Sequence, residues 1–184
     1  EWEGLADRID VVISNAAKVD WIRPYMDLRA TNVLGTLHAL SLAAHRRPKR
    51  FVLVSSIAAA GAVEGTLLEH VGAEPPGNAG YQLSKFVAEN LVRDAGERGL
   101  DFMIVRPAVV TASSSSGLVN PGQIEFQFFK ACAEIGGVPN IAMNLDFTPV
   151  DVVASMIVEV ALHCADAAGV LHLASPVFYS PEWL

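Results

Sequence analysis

The chain has 184 residues, 52% of them hydrophobic and 18% charged, which excludes disordered, fibrous and coiled-coil compositions and predicts one globular domain. Thirteen Lys and Arg against twenty Asp and Glu leave a net charge of -7, which argues against nucleic acid as a partner. The most hydrophobic C-terminal stretch is interrupted by Asp151 and Glu159 and the N-terminus lacks a basic-then-apolar signal, so we expect a soluble, cytoplasmic chain with no membrane partner.

Ile9 to Ile13 is a short β-branched run ending at Ser14-Asn15, as expected for a strand buried in a parallel sheet. From about Pro24 to Ala44, Val33, Leu37, Leu40 and Ala44 recur at helical spacing, which predicts one long helix. The unit then repeats. Phe51 to Val54 is a second strand, a Gly- and Pro-rich segment runs from Ala58 to Gly80, and Tyr81 to Glu97 reads as helix. Phe102 to Val105 is a third strand, stopped by Pro107 and followed by a Ser- and Gly-rich loop from Thr111 to Gly122. A helix near Ile124 to Ile135, a second opening at Pro149 and a fourth strand over Val170 to Leu173 complete the reading.

Strands alternating with helices predict an α/β, doubly wound parallel sheet of Rossmann type, in which ligands bind at the carboxyl ends of strands. The segments 58–80 and 111–148 leave such ends, so we expect them on the substrate side. Cys132 and Cys164 lie in apolar-periodic segments with no partner at metal spacing; we expect buried small hydrophobes in a reducing compartment, and no metal. The chain opens on Glu1-Trp2-Glu3-Gly4-Leu5 without a methionine, and reads as cut from something longer.

Tyr81 and Lys85 lie four apart on a predicted helix and share one face. A phenol titrates near pH 10, and bringing it down by roughly three pH units requires about 4 kcal/mol of phenolate stabilisation, within reach of a nearby ammonium. The bland alternative is a surface pair. Ser55 and Ser56 end a strand where a hydroxyl can donate to a carbonyl, or merely form a turn. Asn15-Ala16-Ala17 allows close backbone approach by a cofactor, though tight packing would select the same residues. Asn32 is either a ligand-side or water-holding amide or one bonded to neighbouring backbone. Arg106-Pro107 either sets backbone against a flat ring or simply terminates a strand. His45-Arg46-Arg47-Pro48-Lys49-Arg50 is a basic cluster, read as a solvated helix end or as a dock for an acidic carrier protein.

Asn15-Ala16-Ala17, Asn32-Val33-Leu34-Gly35-Thr36, Ser55-Ser56, Tyr81-x-x-x-Lys85 and Arg106-Pro107 together resemble the extended short-chain dehydrogenase/reductases. With Lys18-Val19-Asp20-Trp21, Pro24-Tyr25, Leu28-Arg29 and Leu145-Asp146-Phe147-Thr148-Pro149-Val150-Asp151, the chain is similar to the thioester reductase domains of nonribosomal peptide and polyketide synthases and of carboxylic acid reductases, from Glu1 to about Ala174. The resemblance implies NADPH as cofactor and reduction of an acyl thioester, carried on the phosphopantetheine arm of a carrier-protein domain, to an aldehyde or onward to an alcohol. It implies Ser56, Tyr81, Lys85 and Asn32 as catalytic residues. Asn15, Ala16, Ala17, Ser55, Tyr81, Lys85, Pro107 and Val109 would line the cofactor.

The family's Thr-Gly-x-x-Gly-x-x-Gly turn and the basic residue that selects NADPH are absent from these residues. The resemblance therefore implies the catalytic half of a larger reductase domain, with two or three strand-helix units upstream as its missing partner. A sugar-nucleotide epimerase or dehydratase, a hydroxysteroid-type dehydrogenase and a noncatalytic nucleotide-binding fragment are the competing expectations.

Overall fold

The computed structural model describes residues 2–61, 66–75, 77–139, 145–164 and 169–179. They divide into two compact units: Glu1–Arg106 with Ile157–His172, and Pro107–Met156 with Leu173–Leu184.

The first unit is built on a sheet of order β1 (Val11–Ser14), β2 (Arg50–Val54), β3 (Phe102–Pro107) and β7 (Gly169–Leu173). β1, β2 and β3 are parallel, with Val12 opposite Phe51 and Leu53 opposite Ile104. β2 is buried at all five positions, as a strand covered on both faces must be. Its first residue, Arg50, is buried: Nη1 donates to both oxygens of Asp101 at 3.0 Å and Nη2 donates to the Cys164 carbonyl at 2.6 Å.

α3 (Gly35–Ala44) and α4 (Gly80–Glu97) pack together against the strands. Leu40 and Ala43 from α3, Phe51 and Leu53 from β2, Ala88 and Val92 from α4 and Ile104 from β3 form a common apolar core. α4 ends where the Arg98 N–H returns to the Ala95 carbonyl and Gly99, at φ +96°, turns the chain toward β3.

The predicted single helix over Pro24 to Ala44 is three segments: α2 (Tyr25–Arg29), a π turn (Ala30–Leu34) and α3. The ladder widens around Asn32, whose carbonyl accepts the Thr36 hydroxyl at 2.7 Å and whose side chain bonds elsewhere. A short α1 (Trp2–Arg8) had no signal in the periodicity; Arg46 pairs with its Asp7 and Glu3, and Arg47 with Asp10 at 2.7 Å.

The second unit contains β4 (Val110–Thr111) paired in parallel with β6 (Thr148–Pro149), β5 (Leu145–Asp146) paired antiparallel with β8 (Phe178–Tyr179), and α5 (Ile124–Ile135). These two-residue strands escaped the sequence reading because they are too short to show alternation. α6 (Val150–His163) begins directly after Pro149 and continues into the first unit. Its Asp151 accepts the Ser114 N–H at 2.9 Å and hydroxyl at 2.6 Å, which tethers the Ser-rich loop and pulls the carboxyl below its usual range.

Cys132 and Cys164 are free but only half-buried, which corrects the expectation of full burial. Amphipathic periodicity assigns a residue to the apolar stripe without saying how completely that stripe is covered.

Candidate active site

Because β1, β2 and β3 are parallel, their carboxyl ends lie at one edge of the sheet: Asn15-Ala16-Ala17 follow β1, Ser55-Ser56 follow β2, and Arg106 is the last residue but one within β3. Asn15 and Ala16 are exposed and Ala17 half-buried. The two serines have opposite hydrogen-bond polarity. Ser55 donates to the Glu89 carboxylate at 2.5 Å, so its oxygen is left as an acceptor toward the edge. Ser56 caps the 3-10 turn Ile57–Ala60 by accepting the Ala58 N–H at 3.2 Å, which leaves its own proton to donate.

That turn packs against α4, whose first turn carries Tyr81 and whose second carries Lys85. Tyr81 is buried, and the Trp21 ring stands against it in a T-shaped contact with centroids 5.1 Å apart. Lys85 is 4% exposed, and its Nζ donates to the Val54 carbonyl at 2.9 Å, pinning α4 to the end of β2. Burial pushes the Lys85 pKa down to about 8, and the nearby Glu89 carboxylate works against that fall. One of the three ammonium protons is used in this way; among the described residues the other two have no protein acceptor.

Asn32 is buried in the π turn, and its amide clamps the loop after β1 onto α4. Oδ1 accepts the Lys18 N–H at 2.7 Å, while Nδ2 donates to the Lys18 carbonyl at 3.0 Å and to the Ser84 hydroxyl at 2.9 Å. No described hydrogen bond runs from Asn32 to Lys85 itself. In the second unit, Pro107 is buried at the end of β3, and the Val109 N–H donates to Asp146 Oδ1 at 3.3 Å. The structure thus brings Ser55, Ser56, Tyr81, Lys85 and Asn32 around the end of β2 and the start of α4. Asn15, Ala16 and Ala17 leave the neighbouring strand.

Glu89 was missed, and so was the side chain of Arg106, since Arg106-Pro107 was read for its backbone alone. Glu89 and Arg106 form a fully buried pair at 2.6 Å directly behind Ser55 and Lys85. The signal was present: Tyr81, Lys85 and Glu89 repeat every four residues along one helix face, and Arg106 ends an apolar strand where a free cation would be costly.

The basic cluster is internally neutralised in part, since Arg46 and Arg47 pair with Glu3, Asp7 and Asp10 while Lys49 Nζ donates to the carbonyls of His45 and Arg47. The second unit holds an open apolar cavity of about 560 Å³ lined by Val110, Val119, Phe126, Phe129 and Phe147 among others. Among the described residues no group of three His, Cys, Asp or Glu is placed to hold a metal, and no helix is long and apolar enough to cross a membrane.

Comparison with known proteins agrees with this fold. Residues 1–157 match the NAD-binding family described as Male sterility protein. The chain is 37% identical over 171 residues to the L-2-aminoadipate reductase large subunit of Eremothecium gossypii, covering 84% of the chain and 12% of that protein. The terminal R domain from the myxalamid PKS-NRPS biosynthetic pathway superposes with a TM-score of 0.85 at 36% identity, over 96% of this chain and 46% of that one. A UDP-glucuronic acid 4-epimerase from Bacillus cereus in complex with NAD shares the fold, with a TM-score of 0.77 at 17% identity over 99% of this chain and 59% of that one. The chain therefore spans a minor part of the aminoadipate reductase it matches and less than half of the R domain. On the family match over residues 1–157, and with a Rossmann-like parallel sheet, the chain belongs to the NAD-binding family described as Male sterility protein.

Proposed function

We propose that these residues form the catalytic part of an NADPH-dependent thioester reductase that releases an acyl or peptidyl group from the phosphopantetheine arm of a carrier-protein domain as an aldehyde, in the cytoplasm. One observation carries the reading: a buried ammonium, Lys85, one helical turn from Tyr81, with two donors left for a ligand. The likeness to an aminoadipate reductase and to a terminal R domain supports the substrate class.

The residues present fit a nicotinamide cofactor. Lys85 has donors for a ribose diol, Ser55 an acceptor for a carboxamide, and Asn15-Ala16-Ala17 an exposed, small-sided loop at the same edge. When bound, the reduced cofactor supplies a hydride to the thioester carbonyl carbon. The oxygen that takes up the carbonyl electron pair accepts a hydrogen bond from Ser56 and the proton of the Tyr81 hydroxyl. The Lys85 charge stabilises the phenolate left behind. As the C–S bond of the resulting hemithioacetal breaks, its hydroxyl proton would return to the Tyr81 phenolate, freeing the aldehyde and a thiolate that takes a proton from water; Tyr81, protonated again, would serve reduction of the aldehyde to the alcohol by a second molecule of reduced cofactor. Asn32 holds the loop after β1 in register with α4.

The test is NADPH consumption by the full-length protein with acyl-phosphopantetheine, compared with a nucleotide-sugar and with NADH. Tyr81→Phe should lower thioester-dependent turnover by about 10²-fold or more. Undiminished turnover, or activity on the nucleotide-sugar alone, overturns the reading.

A further inference from the structure

The reaction as proposed makes no use of Glu89 or Arg106, yet both are as buried as any residue in the chain, 0% and 1% exposed. A buried pair of this kind is replaceable by apolar side chains of similar volume with little loss of stability, so its placement points to another role.

Glu89 stands one helical turn beyond Lys85, as Lys85 stands one turn beyond Tyr81. Its Oε1 accepts the Ser55 hydroxyl at 2.5 Å and Arg106 Nε at 2.9 Å; its Oε2 accepts Arg106 Nη2 at 2.6 Å. Arg106 also donates from Nη2 to the His70 carbonyl at 3.0 Å, and its Nη1 lies 3.3 Å from His172 Nε2. The groups facing Glu89 are therefore Lys85 on its own helix, Ser55 from the end of β2 and Arg106 from β3, with His172 behind the guanidinium and Glu69 accepting the His172 N–H. Burial and the Arg106 charge push His172 below its ordinary value, so it is neutral at alkaline pH.

We propose that Glu89 is a positioning residue of this site: its carboxylate orients the Ser55 hydroxyl and holds Lys85 as an ammonium, while Arg106 limits that hold by pairing with the same carboxylate. The inference rests on the Tyr81–Lys85 reading of the site. Desolvation alone favours neutral Lys85, and a neutral lysine offers no charge to a phenolate. A carboxylate on the same helix face restores the cation. A bare carboxylate would bind it too tightly to leave its field for Tyr81, and Arg106 offsets part of that attraction. The same bond commits the Ser55 proton inward, so that Ser55 and Ser56 present one acceptor and one donor at the sheet edge.

The two partners act with opposite sign, which separates tuning from support of the fold. In the full-length protein, Glu89→Gln removes the negative charge and exposes Lys85 to Arg106; Arg106→Met leaves the negative charge unopposed. We expect the alkaline limb of the pH–rate profile to move down by roughly one pH unit in E89Q and up by a similar amount in R106M. Glu89→Asp, which keeps the charge but draws it back from Ser55, should leave the limb near its original position while raising the KM for cofactor several-fold.

Competitive labelling of Lys85 with acetic anhydride across pH, read peptide by peptide by mass spectrometry, reports the same titration without turnover. It therefore tests Glu89 even where thioester reduction is not the reaction, and it includes wild type, E89D and whichever of the other variants folds. Opposite displacements, or the single displacement of the expected sign, support the proposal. An unmoved Lys85 titration, or displacement of E89Q and R106M in the same direction, overturns it.

Discussion

Trp21 stands edge-on to Tyr81, the ring centroids 5.1 Å apart and the planes inclined at 63°. The contact joins the loop after β1 to the first turn of α4, and two local devices hold it. The Asp20 carboxylate accepts the N–H groups of Ile22 at 3.0 Å and Arg23 at 2.9 Å, which closes the loop beneath Trp21. Gly80, next to Tyr81, lets the backbone of Arg23 and Pro24 lie against the start of the helix: a Cβ there would come within 2.2 Å of the Arg23 carbonyl oxygen. Gly80→Ala should therefore force the loop away, at a cost of about 2 kcal/mol or more. Thermal melts read the stability loss, and turnover should fall further than the fraction unfolded accounts for. Trp21→Ala should lower turnover with a smaller change in melting temperature.

Asn32 fills three hydrogen bonds from inside a π turn. Asn32→Ala leaves the Lys18 backbone groups and the Ser84 hydroxyl without this partner, and should destabilise the chain by about 2 kcal/mol. The loop that carries Asn15, Ala16 and Ala17 loses its clamp in the same step. Nucleotide affinity, measured by titration calorimetry below the melting temperature, should weaken; an unchanged affinity would show that the clamp has no bearing on the cofactor edge.

Lys85 sets a trade between stability and activity. It titrates near 8 in the fold against 10.5 in the unfolded chain. Below pH 8 the folded state bears the full cost of a buried ammonium. Between pH 8 and 10.5 the folded chain releases a proton that the unfolded chain keeps, so this residue's contribution to stability rises with pH and levels off above 10.5. Lys85→Met removes the cost along with the bond to the Val54 carbonyl. We expect it to be inactive yet more stable by about 2 kcal/mol at pH 7, the difference shrinking by pH 10. Urea midpoints at the two pH values check this; a Met variant that is less stable at pH 7 contradicts it.

Arg46 and Arg47 already face Glu3, Asp7 and Asp10. Neutralising both with Gln should cost less than about 1 kcal/mol, as for other exposed ion pairs, and should leave the salt dependence of carrier-bound turnover unchanged. A lower rate at low salt that converges with wild type at high salt would instead mark this face as the carrier dock.

The order of elements was legible because it depends on local pattern. β1, β2 and β3 fall on short apolar runs, and α5 lies where the sequence reading put it. Tyr81 and Lys85 were legible as a pair because i and i+4 share a helix face whatever surrounds them. The π turn was not: the Asn32 amide inside it bonds to Lys18 and Ser84, the latter 52 residues away in the chain, and no local pattern contains those partners. The strands of two residues in the second unit carry no period to detect.

The sequence by itself determined the α/β class and the placing of Tyr81 and Lys85 on one helix face. Spacing and hydrophobic pattern are properties of the chain before it folds, and they suffice for that much. Only the tertiary structure decided which hydroxyl donates and which accepts. Ser55 and Ser56 are adjacent and chemically identical; Ser56 accepts the Ala58 N–H locally, and Glu89, reached only after α4 packs on β2, accepts the Ser55 hydroxyl and sets the two apart. The charge on Lys85 was likewise undecided by residue type: it depends on burial under the packed strands and on the Glu89 carboxylate, and electrostatic energies in a dry interior are set by distances that no local pattern contains.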